Sequence, residues 1–266
     1  MTTAAHIPMF SRWWLLLLVA VILTFLILPV FIVVPVSFSD SKYLGFPPEA
    51  YSMRWYRNYW NSSEWLSATR ASLVAAVLTT LVATPLGIAT AYGMRSLPPR
   101  LAGLVQILML LPMVVPGILI AIGVFYIYIQ LKLVNSMFGI VAAHTLLALP
   151  FVVLTMQAAF ATFDFRQEQA ATSLGAPRFS AFMRVTLPQV RSSVISAALF
   201  SFITSLDEVV VGLFVAGGQN TVMTRRMFVA LRDAVDPTVA AISTLFIALS
   251  LALLTVSAFA GKTNRR

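Results

Sequence analysis

Asp207 and Glu208 are the residues of this chain whose chemistry most needs an explanation. They stand side by side in an apolar run from about Ser193 to Ala216. An ionised carboxylate there costs at least about 2.5–3.5 kcal/mol unless it faces protein or water. Helical spacing sets Ser201, Thr204 and Ser205 in line with Glu208, with Asp207 on the neighbouring flank beside Thr204. Two readings are open. In one, this face lines a solute path, and its carboxylates attract a cation or bond its amines. In the other, one or both acids pair with a group on a neighbouring helix, supplied by Arg70, His144 or a second chain. His144 by itself reads as an interhelical hydrogen-bond donor. No nucleophile–base pair, His-Glu-x-x-His run or clustered metal ligands accompany the acids, so neither a catalytic nor a metal site is expected. The chain has no cysteine, which excludes disulfides and thiolate ligands.

A second group of residues lies in the polar stretch 161–192. Asp164 is placed to cap a short helix, with Gln167 three residues on in the capping-box position. Ala170, Ala171 and Leu174 then share one ridge, Gly175 offers a stop, and Pro177 suits the first turn of a second helix. That helix carries Phe179, Phe182 and Met183 on one side and is expected to end at Pro188. A hairpin that is small and apolar on one ridge is built to fit a partner's groove. Nucleotide chemistry is not encoded here. A phosphate loop needs G-x-x-x-x-G-K-[ST], and before Gly261-Lys262-Thr263 the position of the first glycine, 256, is Val.

The elements that position these groups follow from composition. Of 266 residues, 59% are hydrophobic and 10% charged, against roughly 45–50% and about 25% in soluble domains. Mean hydropathy is +0.90. The chain belongs in a bilayer, and its net charge of +9 reads as topology signal and headgroup contact, not nucleic-acid binding. Crossing the hydrocarbon takes about 20 apolar residues. Six spans are expected, at about 13–36, 71–94, 103–128, 137–160, 193–216 and 238–260, within a single transmembrane domain covering 1–266. Each must be helical, because lipid offers backbone amides no partner. The first is too long for a signal peptide and reads as a retained helix.

Prolines at 29, 35, 85, 112, 116 and 150 predict kinks, with Pro112 and Pro116 on one face of the third span. Lys and Arg placement leans toward both termini in the cytoplasm, ten against eight. The outer segment 37–66 is rich in Trp and Tyr and predicts an irregular start at Gly45–Pro48, then a short interfacial helix.

The run Gln169-Ala170-Ala171-x-x-x-Gly175, nine residues, then Val185-x-Leu187-Pro188 resembles the EAA loop of ABC-importer permeases, whose pattern is Glu-Ala-Ala, three residues, Gly, nine residues, Ile-x-Leu-Pro. The segments Phe46-Pro47-Pro48, Arg54-Trp55-Tyr56, Ser205-Leu206-Asp207-Glu208 and Asp236-Pro237-x-x-Ala240-Ala241 are similar to membrane subunits of polyamine-type importers. The resemblance implies an all-α, type I importer permease in a bacterial inner membrane. In it Glu168, Gln169, Ala170, Ala171, Gly175, Val185, Leu187 and Pro188 form the coupling loop. Gln169 stands where the pattern has Glu, with Glu168 adjacent.

Implied partners are two ATP-binding cassette subunits, a second permease of a different chain, an extracytoplasmic substrate-binding protein and membrane lipid. ATP and magnesium would be held by the ATPase, with no cofactor on this chain. The implied cargo is a small cationic solute such as a polyamine. A self-contained channel or secondary transporter using Asp207 and Glu208 is the alternative. Against it, the hairpin would have no role, and no internal duplication is visible.

Overall fold

A computed structural model describes residues 13–233 and 235–262, all helix and connecting loop apart from one isolated antiparallel bridge, Ser39 to Tyr51. The chain forms two compact units. One comprises the chain up to Asn61 with Val235–Ile247. The other runs from Ser62 to Asp233 and resumes at Ala248.

In the first unit, α1 (Trp13–Ser37) is apolar on every side and exposed along most of its length, with burial only at Val36 and Ser37. An apolar surface of that extent suits lipid or a partner helix, not water. Its end is tied down by Ser37 Oγ, which donates to the Val34 carbonyl at 2.6 Å and lies 2.8 Å from the Tyr56 hydroxyl. Tyr56 sits on α2 (Arg54–Asn61), the short helix expected after the Gly45–Pro48 irregularity. Trp55 and Tyr59 are buried there, so only part of the aromatic belt is left to meet headgroups. Asn58 donates to Thr238 Oγ1 at 2.8 Å. The Asp236-Pro237 motif works locally, since Asp236 Oδ1 accepts from the Thr238 amide at 2.9 Å and caps α13 (Thr238–Lys262).

The second unit is built on α3 (Ser63–Met94), α6 (Met137–Thr162) and α10 (Arg191–Asp207), which pack against one another more extensively than any other elements. Ser62 caps α3 and Ser136 caps α6, accepting from the Trp65 and Gly139 amides. The α3 face is a ladder of small residues: Ala68, Ser72, Ala76, Thr79, Ala83, Gly87 and Ala91 are all buried. Small residues let membrane helices approach closely, and close approach is the main source of their association in lipid. Gly87 is the tightest point, because a Cβ there would overlap the Val152 side chain of α6. Among these helices His144 Nδ1 lies 2.8 Å from Ser205 Oγ, which donates to Thr79 Oγ1 at 3.5 Å. The expected interhelical bond of His144 is therefore made to α10, and among the described residues the ion pairs join other groups, Arg226 with Glu64 and Arg232 with Asp233.

Two expectations are corrected. The third span is not one kinked helix: it breaks into α4 (Pro99–Val114) and α5 (Gly117–Leu131), bent by 101°. Pro116 excludes its predecessor from helical geometry, and Val115 is extended at φ −73°, ψ 131°. The fifth span also breaks, into α10 and α11 (Val210–Val215), with Glu208 extended between them. Among the described residues, α1, α3 and α6 are each long and apolar enough to cross a membrane, as is the α4–α5 pair if counted as one span. The Gly87 contact makes a prediction. Gly87→Ala should lower the thermal unfolding midpoint in detergent, an overpacking cost of about 1–3 kcal/mol, and Val152→Ala in the same chain should recover most of it.

Candidate functional site

The polar stretch folds as the expected hairpin. Its first arm is α7 (Arg166–Ser173). Asp164 Oδ1 accepts from the Arg166 amide at 3.0 Å, but the capping box does not close, because Gln167 Oε1 accepts from Gln189 Nε2 at 2.7 Å instead. The turn is a Schellman motif: the Gly175 amide donates to Thr172 O and the Ala176 amide to Ala171 O, at 3.0 and 3.1 Å. Gly175 has φ +94°, a conformation that costs L-residues energy and glycine little. The second arm is α8 (Arg178–Ala181), a π-helical turn Phe182–Thr186, then α9 (Leu187–Gln189). Pro188 does not end it as expected. It stands in the first turn of α9, where a missing amide is tolerated.

One carboxylate ties the hairpin down. Glu168 is buried, at 9% exposure, and its two oxygens accept from the Tyr92 hydroxyl at the end of α3 and from the Thr186 hydroxyl of the π-turn. Around it Tyr92 packs edge-on against Phe160 and Phe182, with ring centroids 5.9 and 4.8 Å apart. The Arg95 guanidinium covers Phe165 at 2.9 Å and Tyr92 at 5.5 Å. Burial draws Arg95 below its ordinary pKa, and the neighbouring Tyr92 and Glu168 oppose that. Tyr92, Arg95 and Thr186 were not singled out in the sequence.

The rest of the expected coupling set is at the surface or half-covered. Gln169, Ala170, Gly175 and Pro188 are exposed, and Ala171, Val185 and Leu187 are half-buried. At the tip, Leu174 is 89% and Phe179 76% exposed. Beside them opens a cavity of about 860 Å³, walled by Pro85, Ile88, Tyr92, Arg178, Phe182 and Met183 among others. Large apolar side chains at a hairpin tip next to a cavity form a surface that a partner can cover.

The second candidate set is divided by the helix break. Ser201 and Ser205 are buried between helices, Thr204 is half-buried and Asp207 is exposed. They do not form one continuous stripe with Glu208, because the helix ends before it. Glu208 has a local partner instead: its Oε1 accepts from the Val211 amide at 2.8 Å and caps α11, while its own carbonyl accepts from the Thr224 hydroxyl at 2.7 Å. Asp207 makes no ion pair among the described residues, where the paired acids are Glu64, with Arg226, and Asp233, with Arg232. No cluster of three or more His, Cys, Asp or Glu that could hold a metal occurs among the described residues.

A family profile described as binding-protein-dependent transport system inner membrane component matches residues 83–263. The chain is 30% identical over 244 residues to the spermidine/putrescine transport system permease protein PotC of Haemophilus influenzae, covering 92% of this chain and 95% of that one. Its fold is similar to that of a chain of a bacterial ABC transporter that imports the acidic polysaccharide alginate, with TM-score 0.72, 16% identity and 96% of each chain covered. A second structure of a bacterial alginate transporter, in complex with an alginate pentasaccharide-bound periplasmic protein, gives TM-score 0.70 at 16% identity, again over 96% of each chain.

The two acids should separate in a stability assay. Glu208→Ala removes the α11 cap and should cost about 1 kcal/mol, read as a lower unfolding midpoint in detergent. Asp207→Asn should leave that midpoint unchanged.

Proposed function

This chain belongs to the family of binding-protein-dependent transport system inner membrane components, and from that premise we propose that its hairpin is the joint through which a separate ATPase drives transport of a small cationic solute. The chain is the membrane permease of an ABC importer, and it is not itself an enzyme. The observation that carries the proposed coupling role is the tip: a turn that needs Gly175 at φ +94°, flanked by exposed Leu174 and Phe179 and anchored through buried Glu168. Exposed apolar groups gain by being covered, and a rigidly held tip can transmit a push.

Two ATP-binding cassette subunits, each holding its own ATP and magnesium, would seat such tips. A second permease of a different chain would complete the path, and an extracytoplasmic binding protein would deliver the solute. Six crossings with both termini cytoplasmic would put 161–192 on the ATPase side. On this reading the shape of Ala170, Ala171 and Gly175 fits the ATPase cleft, with neutral Gln169 in place of the motif acid. A polyamine-like cargo is supported by the similarity to the spermidine/putrescine permease. It is also supported by Asp207, an exposed carboxylate at the C-terminal end of α10, where the helix dipole adds negative potential. Thr204 lies on the same helix near it, whereas Ser201, Ser205 and Glu208 act in packing and capping.

Two outcomes are expected. Proline cannot adopt a positive φ, so Gly175→Pro should abolish substrate-stimulated ATP hydrolysis by the assembled importer while the chain still inserts in the membrane. Normal coupled transport in that variant would refute the joint. Asp207→Asn should reduce uptake of a radiolabelled polyamine without loss of assembly, whereas loss of assembly would give Asp207 a structural role.

A further inference from the structure

Resting on the coupling role just proposed, the geometry points to a further pair of positioning residues, Tyr92 and Thr186, which act through Glu168. We infer that their two hydroxyl bonds to one carboxylate lock the hairpin to the end of α3, so that displacement of the tip becomes displacement of the membrane helix.

The two bonds join three segments that are distant in sequence. Tyr92 stands near the end of α3, the helix whose small-residue ladder packs on α6 and α10. Glu168 is in the first turn of α7, and Thr186 closes the π-turn of the second arm. The other side-chain hydrogen bond between the arms, among the described residues, is the exposed Gln167–Gln189 pair, which water competes for. Hydrogen bonds to a charged, buried acceptor are stronger, and each leaves an unsatisfied group behind when its partner is lost.

The π-turn bears on this independently. π-turns are rare and occur mostly as single turns inside α-helices, frequently at functional sites. An extra residue in one turn rotates the rest of the arm by roughly 100° relative to a regular helix. In this arm the residue at the end of the turn, Thr186, is fully buried with its hydroxyl on Glu168. Tyr92 is held just as closely, by rings on three sides and by Arg95. A tyrosine kept only for packing would not need its hydroxyl.

The test is the number of ATP molecules hydrolysed per solute imported, measured on the assembled importer in proteoliposomes. Tyr92→Phe and Thr186→Val are near-isosteric and each deletes one donor, so each should raise that ratio by at least about tenfold, the low end for one hydrogen bond to a charged group. Thr186→Ser keeps the donor and should restore the wild-type ratio. Glu168→Gln should raise the ratio, and adding Thr186→Val to it should raise it little further. Unchanged ratios in both Tyr92→Phe and Thr186→Val would overturn the lock, as would a Thr186→Ser variant as uncoupled as the valine. A wild-type assembly whose hydrolysis is not coupled to uptake would instead refute the coupling role itself.

Discussion

Lipid offers no partner to a backbone amide, a carbonyl or a carboxylate, and this cost governs where the chain stays helical and where it breaks. α3 and α6 run for 32 and 26 residues, and α3 presents a ladder of alanine, glycine, serine and threonine against which α6 buries larger side chains such as Val152, Val153 and Met156. The interruptions come with their own compensation. At Val115–Pro116 the second residue has no amide to satisfy. At Glu208 the side chain caps the next helix, and Thr224 satisfies the freed carbonyl. An acid that looks out of place in an apolar run is thus partly accounted for by the break it makes possible, which leaves its neighbour Asp207 as the carboxylate without a local role.

The same cost accounts for how Glu168 is held. A buried carboxylate must be satisfied, and here both oxygens are, by hydroxyls from two segments that are distant in sequence. Removing either leaves a buried oxygen unsatisfied, so the carboxylate ties three segments together. The tip beyond it is the reverse, with its polar backbone satisfied by the Schellman turn and its large apolar side chains turned outward. A stiff root and a sticky tip are what the proposed joint between two polypeptides requires.

Much of this was legible in the residues. Apolar length marked the long helices. Asp164 is a capping type where α7 begins, and Gly175 followed by Pro177 announced the hairpin. The break at Val115 was within reach of the rule that restricts a residue before proline, but reading Pro112 and Pro116 as kinks on one face hid it. The stripe from Ser201 to Glu208 failed for a different reason. Helical spacing was extended through a residue whose side chain ends the helix. Tyr92 and Thr186 were not legible at all: their roles depend on contacts 76 and 18 residues away in the chain, and on a π-turn with no sequence signature of its own. His144 was foreseen as an interhelical bonding group, but its partner Ser205 required the packed helices.

Because the chain contains no cysteine, a single Leu174→Cys substitution would place one thiol at the hairpin tip. The rate at which a membrane-impermeant maleimide modifies it, in inside-out vesicles with and without the partner ATPase, reads the joint directly. The account predicts rapid labelling of the permease without the ATPase and strong protection when the ATPase is present, changing through its nucleotide cycle. Equal labelling in both preparations would mean that nothing seats on the tip, and would contradict it.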